Sequence, residues 1–359
     1  MSRKIKIGFA STDWSRSMVD AAGHPVPGGA NWVRLQQNRK HLKYQSVTGL
    51  LVHSPSKGFG VASWDKKAHY DCDIIVLQRL MFRNLVDKLD DRQKFGQILV
   101  NDVDDWYWGL HEENHAYKLT HPDHNKEENI DLYKQIIEAC DGVVVSTPFL
   151  KERFENEFSC RKVDIVENCV TMSDFRIRYH RSRKPKVGWV GSTSHRSGDL
   201  DILKGVLDAG PWRVHHSGHV NGAKTFAEKV GMPDSAVSLS PMHHPLNYAR
   251  LSFEFDIGVA PLVDIPFNRA KSWIKAIEYT AAGIPVVMSD VSEYRRLHDT
   301  YGIGRLASSK EEWLEHLMEL KEYPLRAKEA SQNREKLKAL DVKVMASNWG
   351  KVLDSYLQA

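Results

Sequence analysis

The chain has 359 residues, 42% apolar and 27% charged, with a formal net charge of +4; this is the composition of a soluble globular protein long enough for two domains. No run of 18 apolar residues occurs, which excludes a transmembrane helix. Residues 1–170 hold 23 Lys/Arg against 24 Asp/Glu, and residues 187–359 hold 21 against 21, which excludes the broad basic surface of an autonomous DNA-binding domain.

The opening MSRKIKIGFAS reads as a first strand, residues 5–10, and not as a leader peptide. Further strands are expected at 73–78, 97–101, 142–146 and, more weakly, 163–166. Helices are expected at 30–42, 80–91, 127–139 and 148–157, where Pro148 suits a first helical turn. The positive excess lies in 171–186, TMSDFRIRYHRSRKPK, with six basic residues and one acid. It reads as a solvated interdomain linker, or as a basic patch facing an anionic acceptor such as DNA phosphate.

A second domain opens at strand 187–190. There follow a helix at 199–208, a strand at 212–216, helices at 222–230 and 245–253, and strand Ile257–Ala260. A helix of about four turns is expected at 268–283, then a strand at 284–288 and helices near 292–298, 309–321 and 325–339. Strands alternating with helices imply parallel sheets covered by helices. The final helix, Val342–Leu357, carries Met345, Trp349, Leu353 and Leu357 on one apolar stripe that needs a partner. The expected division is 1–170, linker 171–186, 187–340, and a C-terminal helix 341–359.

Chemistry concentrates in loops at strand ends. After the first strand, Gly28 and Gly29 precede a helix and let a ligand approach backbone N–H groups; Asp13 and Trp14 share that loop. LVNDVDDWYWGL places Asp102, Asp104 and Asp105 at a strand's carboxyl end, followed by Trp106, Tyr107 and Trp108, a set suited to orienting or deprotonating a hydroxyl and stacking on a sugar or base. In VGWVGSTSHRSGD, Gly191 permits a tight exit, Ser192 and Thr193 offer donors, and His195 and Arg196 precede a helix start, as an anion site requires. On the 268–283 helix, Lys271, Lys275 and Glu278 share one face beside a buried stripe, with Asn268 and Arg269 at its N-terminus. His111-Glu-Glu-Asn-His115 matches H-E-x-x-H, but the flanking Gly109 and Pro122 and the polar stretch between speak against a zinc helix. The four cysteines (Cys72, Cys140, Cys160, Cys169) lack CxxC spacing and read as thiols of an intracellular protein.

FDIGVAPL followed by EYTAAGIPVVMSD resembles the donor-site segment of GT-B glycosyltransferases of the retaining, glycogen-synthase-like kind. The resemblance implies a GT-B fold: two Rossmann-like parallel-sheet domains facing a cleft, with the C-terminal helix crossing back to the first. It implies that Glu278 holds the ribose hydroxyls of a nucleotide-sugar, that the 191–196 loop meets the diphosphate, and that the glycine pair faces donor phosphates or acceptor. The family's second glutamate, eight positions before Glu278, is Ala270 here. PFNRAKS is similar to a subgroup common among phage-encoded enzymes. The expected activity is transfer from a UDP-sugar to an acceptor hydroxyl, on DNA, a virion protein or a glycan, with no prosthetic group, no metal and no membrane insertion, in the cytoplasm (the host's, if phage-encoded). A GT-B-fold sugar-nucleotide 2-epimerase and a silent nucleotide-sugar binder are the alternatives.

Overall fold

The computed structural model describes residues 4–178, 182–193, 198–219, 224–243 and 245–358. The chain forms two units, one of Met1–Leu110, Ala116–Asn168 and Val342–Ala359, the other of His111–His115 and Cys169–Asp341.

The first unit contains β1 (Lys6–Ser11), β2 (Trp14–Val19), β3 (Pro25–Pro27), β4 (Gln45–Ser54), β5 (Gly58–Ala62), β6 (Ala68–His69), β7 (Ile74–Gln78), β8 (Ile98–Val103), β9 (Gly142–Val145) and β10 (Val163–Ile165). Eight of these form one sheet in the order β10-β9-β8-β7-β1-β4-β5-β6. The runs IIVLQ of β7 and GVVV of β9 are buried throughout, as parallel strands covered on both faces must be. β1 pairs in parallel with β4 on one side and β7 on the other, so the strand order reverses between β1 and β7. Ligands bind outside the carboxyl ends at such a reversal.

The antiparallel β4–β5–β6 meander was not expected from the sequence, and its glycines explain why. A Cβ at Gly49 would lie 1.9 Å from the Ala62 carbonyl oxygen, so pairing demands a residue that otherwise weakens a strand signal. The expected 30–42 helix runs from Gly29 to Arg39 and is widened to a π-turn over Trp32–Gln36. The final helix, Val342–Leu357, buries Trp349, Leu353 and Tyr356 against Ile7, Val76 and Val144 of this sheet.

The second unit holds β11 (Lys186–Val190), β12 (Arg213–His219), β13 (Val237–Pro241), β14 (Ile257–Ala260), β15 (Val286–Ser289) and β16 (Arg305–Ala307), all parallel, in the order β13-β12-β11-β14-β15-β16. This is the doubly wound dinucleotide-fold order, reversing between β11 and β14. The core beneath it gathers Trp189, Leu203, Phe226, Val259 and Trp313.

Three expectations are corrected. The 268–283 helix is two helices, Pro266–Arg269 and Ile274–Ala281. Burial of Ala270 and of Trp273, whose ring lies 4.1 Å under the Arg296 guanidinium, holds the chain out of helical line between them. The 80–91 helix shrinks to Arg83–Val86. The basic segment is partly packed on its own unit: Arg178 N–H donates to the Ala282 carbonyl at 2.8 Å, and its guanidinium sits 3.9 Å from Asp256. Among the described residues no helix is long and apolar enough to cross a membrane.

Candidate functional site

In the second unit the strand reversal opens beyond β11 and β14. Gly191, at φ +147, leaves β11 where a side chain would press on Trp189. Its N–H donates to the Ser217 carbonyl at 2.9 Å and its carbonyl accepts from His216 Nε2 at 2.8 Å. His216 clusters with Trp189 and Phe226, at 5.2 Å from each, and burial lowers its pKa. A neutral, packed imidazole therefore fixes the loop's start. Thr193 is buried and donates to the Lys224 carbonyl at 2.7 Å. Ser192 is half-buried; His195 and Arg196 lie outside the described residues.

On the Ile274–Ala281 helix, Lys275 and Glu278 share a face, and Lys275 Nζ donates to the Val190 carbonyl at the end of β11. Glu278 accepts the Tyr248 hydroxyl at 2.8 Å. Burial pushes its carboxyl up to about 7, against the opposing pull of Lys275 and Tyr248. A carboxylate placed this way at the carboxyl side of β14 suits two hydroxyl donors on one ligand.

Asn268 does not present its amide to a ligand. Its Nδ2 donates to Asp199 Oδ1 at 2.6 Å and to the Val263 carbonyl at 3.0 Å, which uses both of its hydrogens. Arg269 is a surface partner of Asp264, at 2.6 and 2.9 Å. Lys271 falls in the break between the helices, off the Glu278 face, with Nζ 4.2 Å over the Phe267 ring. Ala270 is wholly buried.

In the first unit, Ser11 of β1 donates to Gln78 of β7 at 2.9 Å, and Gln78 donates to Asp102 of β8 at 3.0 Å. Asp102 is fully buried, and Arg34, from the π-turn, grips it with Nη2–Oδ1 at 2.7 Å. Arg34 also donates to Asn168 at 2.9 Å. Asp102 is thus a buried ion-pair partner that crosslinks three strands; it was expected at the ligand because the strand was taken to end at Asn101.

One residue beyond, the geometry changes. Arg79 follows β7 at φ +56, an uncommon conformation for a bulky side chain. Its guanidinium lies 3.5 Å from Asp104, 4.0 Å from Asp105 and 3.9 Å from Asp13. Burial raises the Asp104 carboxyl to about 6, with Arg79 pulling the other way. Three carboxylates around one arginine stand at the strand reversal of this sheet, and the sequence had singled out every member except Arg79.

Gly28 serves Asp13 and leaves no opening for a phosphate: a Cβ there would lie 2.0 Å from Asp13 Oδ1. The Asp13 carboxylate also accepts from Asn31 N–H at 2.9 Å, filling the helix start. Beside Gly29 the space is open. Trp106 is buried in the core, and half-buried Trp108 packs parallel to Tyr133 at 6.0 Å and edge-on to Phe158 at 4.7 Å. His111–Asn114 is a turn, which separates the two imidazoles of the H-E-x-x-H match from any common helix. No described group of three or more His, Cys, Asp or Glu is placed to hold a metal.

The two sheets define a mixed α/β protein of GT-B fold. The chain is similar in structure to sucrose-phosphate synthase from Thermosynechococcus elongatus, at TM-score 0.68 and 14% identity over 99% of this chain and 100% of that one. It is similar to a glycosyltransferase from Rickettsia africae at TM-score 0.62 and 10% identity, covering 99% of each chain. Anabaena HepE, solved with UDP and glucose, matches at TM-score 0.62 and 12% identity over 98% of this chain and 100% of that one. No protein-family model matches the chain, and no curated protein matches it in sequence.

Proposed function

We propose that this protein is a glycosyltransferase that moves a sugar from a nucleotide-sugar, a UDP-sugar, to an acceptor hydroxyl. The observation that carries the proposal is Glu278, a half-buried carboxylate with Tyr248 and Lys275 about it, on the helix that follows β14 of a doubly wound sheet. The likeness in fold to HepE, solved with UDP and glucose, supports the same donor class. Glu278 takes the ribose hydroxyls. Arg196 and His195, outside the described residues, meet charge developing on the diphosphate.

In the reaction the acceptor oxygen bonds to the anomeric carbon, the bond from that carbon to the diphosphate oxygen breaks, and the acceptor proton leaves. Resemblance to the glycogen-synthase-like enzymes favours retention, with the leaving diphosphate receiving that proton. Asp104, held by Arg79 and titrating near 6, supports an inverting alternative in which it takes the proton. The anomeric configuration of the product decides. Neither route needs a metal, and turnover is expected to survive EDTA.

The phage-type likeness and the exposed Arg176 and Arg183 of the basic segment support DNA as an acceptor; Arg178, tied to Asp256, does not add to it. Incubation with UDP-sugars and candidate acceptors, followed by mass spectrometry, tests the proposal. A glycosylated product supports it, whereas an epimerised nucleotide-sugar or no turnover with intact donor binding refutes it.

A further inference from the structure

A pocket of about 610 Å³ opens on the first unit, among residues to which no role has been given above. Its walls include Arg39 at the end of the 29–39 helix, Ser46 and Thr48 of β4, and Trp64 and His69 around the β5–β6 turn. Arg39 is half-buried, and burial works against its charge. Its Nε donates to Gln36 at 3.2 Å and its Nη1 to Ser46 at 3.3 Å. No carboxylate among the described residues lies within 4.0 Å of it. The other deep cation, Lys6, is matched by Asp71 at 2.8 Å and bonds His69 at 2.9 Å. Asp65 also lines the pocket, where it accepts from the Ser63 hydroxyl and lies 3.8 Å from Lys67, so Arg39 is the guanidinium left without a carboxylate partner, with donor capacity remaining.

Trp64 supplies the second feature. Its Nε1 is buried with no partner among the described residues, and its ring meets Trp14 edge-on at 5.1 Å. Trp14 follows Asp13, so the pocket wall adjoins the Arg79 carboxylate cluster through one residue. An indole ring, several hydroxyls and one guanidinium without a carboxylate partner suit a polyhydroxylated ring bearing an anion.

We propose that this pocket binds an acidic saccharide, with Arg39 receiving its carboxylate or phosphate and Trp64 meeting its ring.

Tryptophan fluorescence and calorimetry with methyl glucuronide, methyl glucoside 6-phosphate, neutral methyl glucoside and inorganic phosphate test it on the full-length protein. The acidic saccharides should bind, the neutral one about tenfold or more weaker, and Arg39→Gln should lose a similar factor. The more avid of the two acids tells carboxylate from phosphate. Equal binding of acidic and neutral sugars, or no saccharide binding at all, overturns the proposal, and inorganic phosphate binding as tightly as the sugar phosphate overturns its saccharide part. Should Arg39→Gln not fold, Trp64→Leu, which removes the aromatic ring, must weaken the acidic saccharides. UDP binding by the parent protein is measured separately, so failure of the donor site and failure of this pocket are told apart.

Discussion

The Tyr248 hydroxyl donates to Glu278 at 2.8 Å, and yet burial leaves that carboxyl titrating at about 7. The Glu278 carboxyl is thus poised between neutral and ionised forms in the free protein. Ribose hydroxyls bonding to the carboxylate favour the ionised form.

Affinity for UDP-glucose, whose diphosphate diester does not titrate near neutrality, should therefore rise as pH increases from 6 to 8. Calorimetry across that range checks this, and the Glu278→Gln variant should show a flat profile.

The same group makes stability fall with pH. Its folded pKa lies above the ordinary carboxylate value of 4.5, so the proton it holds stabilises the fold at low pH, and that stabilisation is lost as pH rises toward about 7. Glu278→Gln removes the buried charge and should raise the stability of the free protein at pH 8 by about 1–3 kcal/mol while weakening the donor. Denaturant melts at pH 5 and pH 8 test it: the variant's gain should be larger at pH 8.

Arg34 and Asp102, paired at 2.7 Å and fully buried, should behave as structural residues. Arg34→Ala leaves a buried carboxylate without its cation and should destabilise the fold by about 3–5 kcal/mol. Urea unfolding measures the loss; a stable but inactive Asp102→Asn would place Asp102 in catalysis instead.

Asp104→Asn is isosteric and leaves Arg79 without its closest carboxylate. On the inverting route transfer should fall about a hundredfold or more, with UDP-glucose binding unchanged. An unaffected turnover would remove Asp104 from the reaction and favour the retaining route.

Much of this was legible in sequence because the signals were local. The helix Pro148–Glu157 starts where Thr147 caps it and Pro148 fills its first turn, and β14 was read at its true limits from an apolar run closed by Pro261. The helix break at Ala270–Trp273 was illegible, since it depends on Arg296 packing on Trp273 from a distant helix. Arg79 was missed for a similar reason: a lone arginine after a strand carries no motif, and its positive φ and three carboxylates exist only once β1, β7 and β8 are adjacent. Asp102 was misplaced by two residues of strand length, because β8 continues to Val103 and turns that carboxylate into the core.

The central claim is that Glu278 holds a nucleotide-sugar. Titration of UDP-glucose into the parent protein and into Glu278→Ala at pH 8 tests it most directly. The account predicts saturable binding to the parent and a loss of about 1.5–3 kcal/mol in the variant, the worth of hydrogen bonds to a charged group. An unchanged dissociation constant, with both proteins folded, would contradict it.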